Sequence, residues 1–301
     1  MTSEESIAVS GKIAQVIASQ APYIEYNLKE VEEAKRRYSP SELSALKRKG
    51  YLDGDFEKFY VLNEFQKALL LEQKADEEYM RRFFRQGKKF LPSEFLNDPY
   101  IKRVKVKETR MGDFLLTNAT YAKGEFFQYA MPDLSAPLVV PKIGFFTGEV
   151  SFPTVYEGNI PWMSACPSEI SSMKDQMEEA FGRVLVLGLG IGYYPFIVSQ
   201  KSNVSEITVV EIQPEVIALF EQNILPFFPR RDKIKIIKAD AFSYLKTVKD
   251  GQFDYCFADI WEGQEDGAEC YKRIKPVDDS LPRTKFSYWI EEEILWYLRQ
   301  K

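Results

Sequence analysis

The period of the hydrophobic positions changes three times along the chain. Residues 3–98 carry apolar side chains at helical spacing, such as Ile13, Val16 and Ile17 or Phe65, Leu69 and Leu70, on a background rich in Glu, Lys, Leu and Ala. Ser39-Pro40-Ser41-Glu42 reads as a helix start and Lys49-Gly50 as a stop, so three or more helices are predicted. Over residues 101–161 short β-prone runs (113–116, 125–129, 138–140), broken by Gly and Pro, predict a small antiparallel sheet. Lys102, Arg103, Lys105, Lys107 and Arg110 alternate with Ile101, Val104 and Val106, a pattern that predicts an edge strand with a charged outer face. Pro167-Ser168-Glu169-Ile170 then predicts a capped helix leading into the last domain.

From residue 183 onward continuous Val/Ile/Leu runs alternate with helical patterns: 184–187, 194–200, 207–211, 214–223, 234–238, 241–248 and 253–258. Strands without polar alternation, each followed by a helix, are buried on both faces of a parallel sheet joined by right-handed crossovers. The predicted fold class is therefore α/β, a doubly wound, mostly parallel Rossmann-like sheet, preceded by the antiparallel β region and the N-terminal helices. The predicted domains are residues 1–98, 101–161 and 162–301. Residues 260–301 are short for a sixth and seventh strand, and 286–299 reads as a helix, so the sheet is expected to be truncated or completed in another way.

Composition narrows the chemistry. With 301 residues and 45% hydrophobic side chains the chain can bury a core without staples. The three cysteines, Cys166, Cys256 and Cys270, have neither CxxC spacing nor even pairing, which points to a reducing, cytoplasmic setting. There is no histidine. Ser/His and Cys/His nucleophilic machinery is thereby excluded, no metal site is predicted, and carboxylates, tyrosines and lysines remain for proton transfer. The net charge of −5 is mixed along the chain, so no nucleic-acid partner is expected, and no apolar run predicts a membrane span. The N-terminal helices are expected to pack or to dimerise.

The strongest constellation sits where predicted strands end. The first strand runs into Gly188-Leu189-Gly190-Ile191-Gly192 before a helix, and glycines there let the backbone turn sharply and approach a ligand. A dinucleotide turn of the GxGxxG type would have glycine where Tyr193 stands. Glu211, at the end of the second strand with Ile212 beside it, is placed to accept hydrogen bonds from both hydroxyls of a ribose. Asp240, followed by Ala241, ends the third strand, and Asp259 the fourth. Three carboxylates thus line the crevice where open α/β sheets bind ligands.

In these motifs residues 183–263 resemble the class I S-adenosylmethionine-dependent methyltransferases, and within them the spermidine synthase branch, through Leu225-Pro226 and Asp240-Ala241-Phe242. The resemblance implies that Gly188, Gly190 and Gly192 hold the amino-acid part of the cofactor, Glu211 the ribose, and Asp240 the adenine, with Ile212, Ala241 and Asp259 completing the site. It also implies a D-x-x-D pair after the fourth strand, which here reads Asp259-Ile260-Trp261-Glu262. Asp259 and Glu262 are therefore the candidate catalytic residues, since a carboxylate beside an amine can take its proton.

The family's glycine run carries an Asp where this chain has Ile191, and its tyrosine-bearing motif is not recognisable in residues 168–173. An isoleucine cannot hold the amine of decarboxylated S-adenosylmethionine, whereas methyl transfer asks chiefly for a nucleophile aligned with the sulfonium. The reading favoured on sequence is methyl transfer from S-adenosylmethionine to a small molecule. Aminopropyl transfer and a non-catalytic nucleotide-binding module are its alternatives. Trp162, Tyr194 and Trp261 are candidate substrate contacts, an aromatic wall suited to cationic or planar molecules.

Overall fold

The computed structural model describes residues 1–300, which divide into two compact units. The first comprises Met1–Leu96 with Thr120–Ser151. Its helices span Ser3–Gln20, Leu28–Arg36, Pro40–Lys49, Phe56–Ala68 and Glu77–Gln86. The first three begin in capping boxes in which Thr2, Asn27 and Ser39 each exchange hydrogen bonds with a Glu three residues on. A three-stranded sheet orders Lys88–Phe90, Lys142–Phe146 and Phe126–Ala130, parallel at its first pairing and antiparallel at its second. The core between helices and sheet is aromatic, and Phe65 stacks on Phe126 with ring centroids 3.8 Å apart.

The second unit comprises Asn97–Ala119 together with the chain from Phe152 on. Five parallel strands form its sheet: β1 (Gly182–Leu187), β2 (Val204–Glu211), β3 (Ile234–Lys238), β4 (Tyr255–Ala258) and β5 (Lys285–Tyr288), in the order β3-β2-β1-β4-β5. The helices that follow its strands are α1 (Tyr193–Ser199), α2 (Pro214–Asn223), α3 (Ala241–Leu245), α4 (Gln264–Ser280) and α5 (Glu291–Gln300). Val184 to Leu187 and Tyr255 to Ala258 are fully buried, which is why these strands read as unbroken apolar runs. Leu187 pairs with both Val210 and Ala258, so the segments after β1, β2 and β4 emerge side by side. The strand order reverses between β1 and β4, the switch point at which such sheets open a crevice. A hairpin pairs Thr154 with Ser164 and Val155 with Met163 just ahead of this sheet.

Three predicted elements differ. Residues 101–106 form no strand: Asp98 caps a helix at Pro99–Arg103, accepting from the amides of Tyr100 and Ile101, and Ile101 and Val104 are buried one helical turn apart. Residues 138–140 are buried but unpaired in any sheet. The Val139 amide donates to the Ser6 hydroxyl at 2.9 Å and the Ser10 hydroxyl donates to the Val139 carbonyl at 2.7 Å, so side chains do the work of a ladder. The 286–299 stretch is a strand and then a helix, broken at Ile290 with φ 47°, and that strand is β5, which completes the five-stranded sheet. Among the described residues no helix is long and apolar enough to cross a membrane.

Candidate functional site

The turn leaving β1 takes its shape from glycine. Gly188, Gly190 and Gly192 have φ of 97°, 54° and 72°, in the left-handed region that side chains avoid. A Cβ on Gly188 would collide with the carbonyl of Asp259, and one on Gly190 would come within 2.8 Å of the Met163 side chain. The turn is closed by the Gly192 amide donating to the Leu189 carbonyl at 2.9 Å, while the Gly188 amide donates to Val210 across to β2. The amides of Gly190 and Ile191 have no partner among the described residues. Two neighbouring N–H groups left without acceptors suit an anionic ligand group. The Ile191 side chain is fully buried.

Glu211 ends β2 and is 5% exposed. Its carboxylate accepts from the amides of Leu189 at 3.0 Å and of Ile212 and Gln213 at 2.8 Å each, fixing it against the glycine turn. A carboxylate accepts about four hydrogen bonds, so capacity remains for a ligand hydroxyl. Ile212 next to it is 56% exposed, an apolar side chain open to a ligand's flat face. Asp240 caps α3, accepting from the Ser243 amide at 2.8 Å. The Ser243 hydroxyl and amide hold its carboxyl below the usual range, with Arg273 and Lys246 adding to the effect. Ala241 behind it is buried.

Asp259 follows β4 and donates its amide to Leu187 at 2.9 Å. Burial pushes its carboxyl well above the ordinary value, and the charge of Glu169 pushes it further. Glu169, on the helix Pro167–Ser172, is itself pushed up to about 7 by burial. Neither carboxyl has a hydrogen-bond or ion-pair partner among the described residues. The helix that carries Glu169 is tied to the end of β5, since the indole N–H of Trp289 donates to the Ser172 hydroxyl at 2.8 Å. Glu262, by contrast, is exposed at the start of α4, where its amide donates to Asp266. The carboxylate acting on Asp259 is thus Glu169, which sequence reasoning read only as part of a helix start. Nothing in that stretch signals that this glutamate is half-buried and desolvated.

The three aromatic candidates part ways. Tyr194 is buried, stacks on Phe257 at 4.2 Å and donates its hydroxyl to the Gln176 carbonyl, a packing position. Trp162 is half-buried, with Phe114 edge-on at 5.5 Å, on the hairpin strand that brings Met163 to Gly190. Trp261 is 7% exposed, packs against Gly267, and its indole N–H has no partner among the described residues. No group of His, Cys, Asp or Glu among those residues could hold a metal ion.

The parallel five-stranded sheet with a glycine turn after its first strand is a doubly wound, Rossmann-like α/β fold. Within it, residues 168–273 match the family described as spermine/spermidine synthase domain. No curated protein matches the chain. Solved structures similar to it include a precorrin 8W decarboxylase of Methanobacterium thermoautotrophicum, at 19% identity over 40% of this chain and 61% of that one, with a TM-score of 0.31. A conserved hypothetical protein of Streptococcus pyogenes follows at 18% identity over 36% and 67%, TM-score 0.30. The SAH-bound methyltransferase PaMTH1 of Podospora anserina has 21% identity over 41% and 50%, TM-score 0.33. At these scores the family match, and not the structural neighbours, bears on function.

Proposed function

We propose that the protein is an S-adenosylmethionine-dependent methyltransferase acting on a small molecule. The observation that carries this reading is the turn at Ile191: where the spermidine synthases have an aspartate, this chain buries an uncharged isoleucine, and the unpartnered Gly190 and Ile191 amides face no acid that would repel a donor's carboxylate. In this reading the Gly190 and Ile191 amides receive the carboxylate of the donor, with Gly188 and Gly192 shaping the turn. Glu211 receives the ribose hydroxyls, Ile212 and Ala241 flank the adenine, and Asp240 accepts from its amino group. Bound there, S-adenosylmethionine supplies an electrophilic methyl group on a positively charged sulfur. As the acceptor's lone pair forms the new bond to carbon, the carbon–sulfur bond breaks and the neutral thioether leaves; Asp259 in its ionised form, with Glu169 beside it, takes the proton that the acceptor loses. Trp162 and Trp261 border the acceptor, and orientation provides most of the rate. Glu262, being exposed, has the smaller role of the two acids first considered.

A second reading, aminopropyl transfer, draws on the family match across residues 168–273 and on the Asp259-to-Glu262 spacing. Calorimetric titration with S-adenosylmethionine, its demethylated product and its decarboxylated form separates the two. Preference for the carboxyl-bearing compounds is expected, and preference for the decarboxylated form would reverse the choice. Absence of binding to all three would remove both.

A further inference from the structure

The glycine turn is held from behind by residues that no motif marks. Asp98 accepts from the Tyr100 amide at 2.8 Å and the Ile101 amide at 3.1 Å, starting the helix Pro99–Arg103, and its second carboxylate oxygen accepts from the Tyr193 hydroxyl at 2.8 Å. Tyr100 is fully buried between Tyr193, with ring centroids 5.1 Å apart, and Phe196, edge-on at 5.2 Å. Its hydroxyl donates to the carbonyl of Ile191 at 2.5 Å. Burial, with the charge of Asp98 adding, raises the Tyr100 hydroxyl well above its ordinary value, so it remains a donor at any working pH.

This contact decides what position 191 can offer a ligand. A turn residue presents one carbonyl, one amide and one side chain. At Ile191 the side chain is buried and the carbonyl accepts from Tyr100, so the amide is the one polar group left without a partner. An N–H recognises a carboxylate and does nothing for an ammonium. The carbonyl, the one acceptor that this position has, is therefore turned to Tyr100.

We propose that Tyr100, seated by Asp98 and Tyr193, is a positioning residue that fixes the glycine turn to favour a carboxylate-bearing sulfonium donor over its decarboxylated form. The inference rests on the donor-binding reading above and adds a residue and a direction to it. Without the Tyr100 hydroxyl the 191–192 peptide keeps only the Gly192 amide's bond to Leu189, so the turn is held less firmly and the Gly190 and Ile191 amides that precede it are aimed less sharply at a carboxylate.

The test is titration of the full chain, as wild type, Tyr100→Phe and Tyr193→Phe, with S-adenosylmethionine and with decarboxylated S-adenosylmethionine. Tyr100→Phe is expected to weaken binding of the carboxyl-bearing donor by about tenfold, the worth of roughly one well-placed hydrogen bond. The decarboxylated donor should lose less, so that the ratio of the two affinities falls by about fivefold. Tyr193→Phe, which loosens the seat and keeps the hydroxyl of Tyr100, should move the ratio in the same direction by less. Because both affinities are measured on one protein, the ratio is insensitive to any loss of folded fraction. A ratio unchanged in both variants, whatever happens to stability, overturns the proposal and leaves the donor-binding reading standing. A wild type that binds neither compound overturns both.

Discussion

In the first unit charged groups are consumed by the fold. Lys89 bridges Asp55 at 2.7 Å and Glu57 at 2.8 Å, Lys58 reaches Asp53 at 2.6 Å, and Tyr26 donates to Glu57. At the C-terminal edge of the second unit's sheet the opposite holds. Asp259, Glu169 and the indole N–H of Trp261 lie in partly or fully desolvated positions without partners. Burying such groups unpaired costs stability, and native folds rarely tolerate it without a return elsewhere. The first unit therefore pairs these charges, although Gln66 Oε1 and Gln86 Oε1 stay buried without partners, whereas the second holds two carboxyls and an indole N–H ready at its sheet edge for something not made of protein.

The comparison can be broken most sharply from the side of the first unit. Phe65→Ala, which removes the ring stacked on Phe126, should lower unfolding stability by about 3–5 kcal/mol in chemical denaturation. Affinity for S-adenosylmethionine per folded molecule should not change, and a parallel loss of affinity would contradict the division of labour. Glu211→Ala should do the reverse, weakening donor binding by about a hundredfold, or ~3 kcal/mol, in calorimetry. Part of the loss arises because the amides of Leu189, Ile212 and Gln213 lose their common acceptor.

A smaller effect is expected at Glu169. Its folded value, about 7, lies above the ordinary carboxylate range, so the folded state binds the proton more tightly than the unfolded chain does. Its contribution to stability is present at low pH and is lost as pH rises from about 4.5 toward about 7. Glu169→Gln should remove that slope, gaining about 1 kcal/mol on the wild type between pH 5 and pH 8 in urea midpoints. An unaltered slope would mean that the carboxylate is not desolvated. The smallest effect belongs to Lys67→Ala. Its bridge to Glu64 at 2.8 Å is half exposed, and the change should stay within about 0.5 kcal/mol.

How far the sequence reveals this arrangement depends on the kind of signal. The sheet is legible because strands buried on both faces cannot alternate, and β1 and β4 do not. The glycine turn and Glu211 are legible because only certain residues can occupy their backbone and hydrogen-bonding positions. The 101–106 strand fails because a local Asp-Pro cap outweighs a period-two pattern only a few residues long. Residues 138–140 fail because Ser6 and Ser10, about 130 positions away in sequence, supply hydrogen bonds that a strand would otherwise need. Glu169, Asp98 and Tyr100 go unseen for a shared reason. Their importance lies in what folding brings to them, and an isolated glutamate or tyrosine carries no mark of its burial.

The chain's passage between units also bears on how the protein is made. It leaves the first unit after Leu96, contributes Asn97–Ala119 to the second, returns for Thr120–Ser151 and leaves again. No single cut can separate the two units. On the ribosome the first unit cannot close until residue 151 has emerged, and the turn that Tyr100 is to hold follows it by 91 residues. A truncation meant to isolate the sheet domain at residue 152 would discard that tyrosine along with the helices.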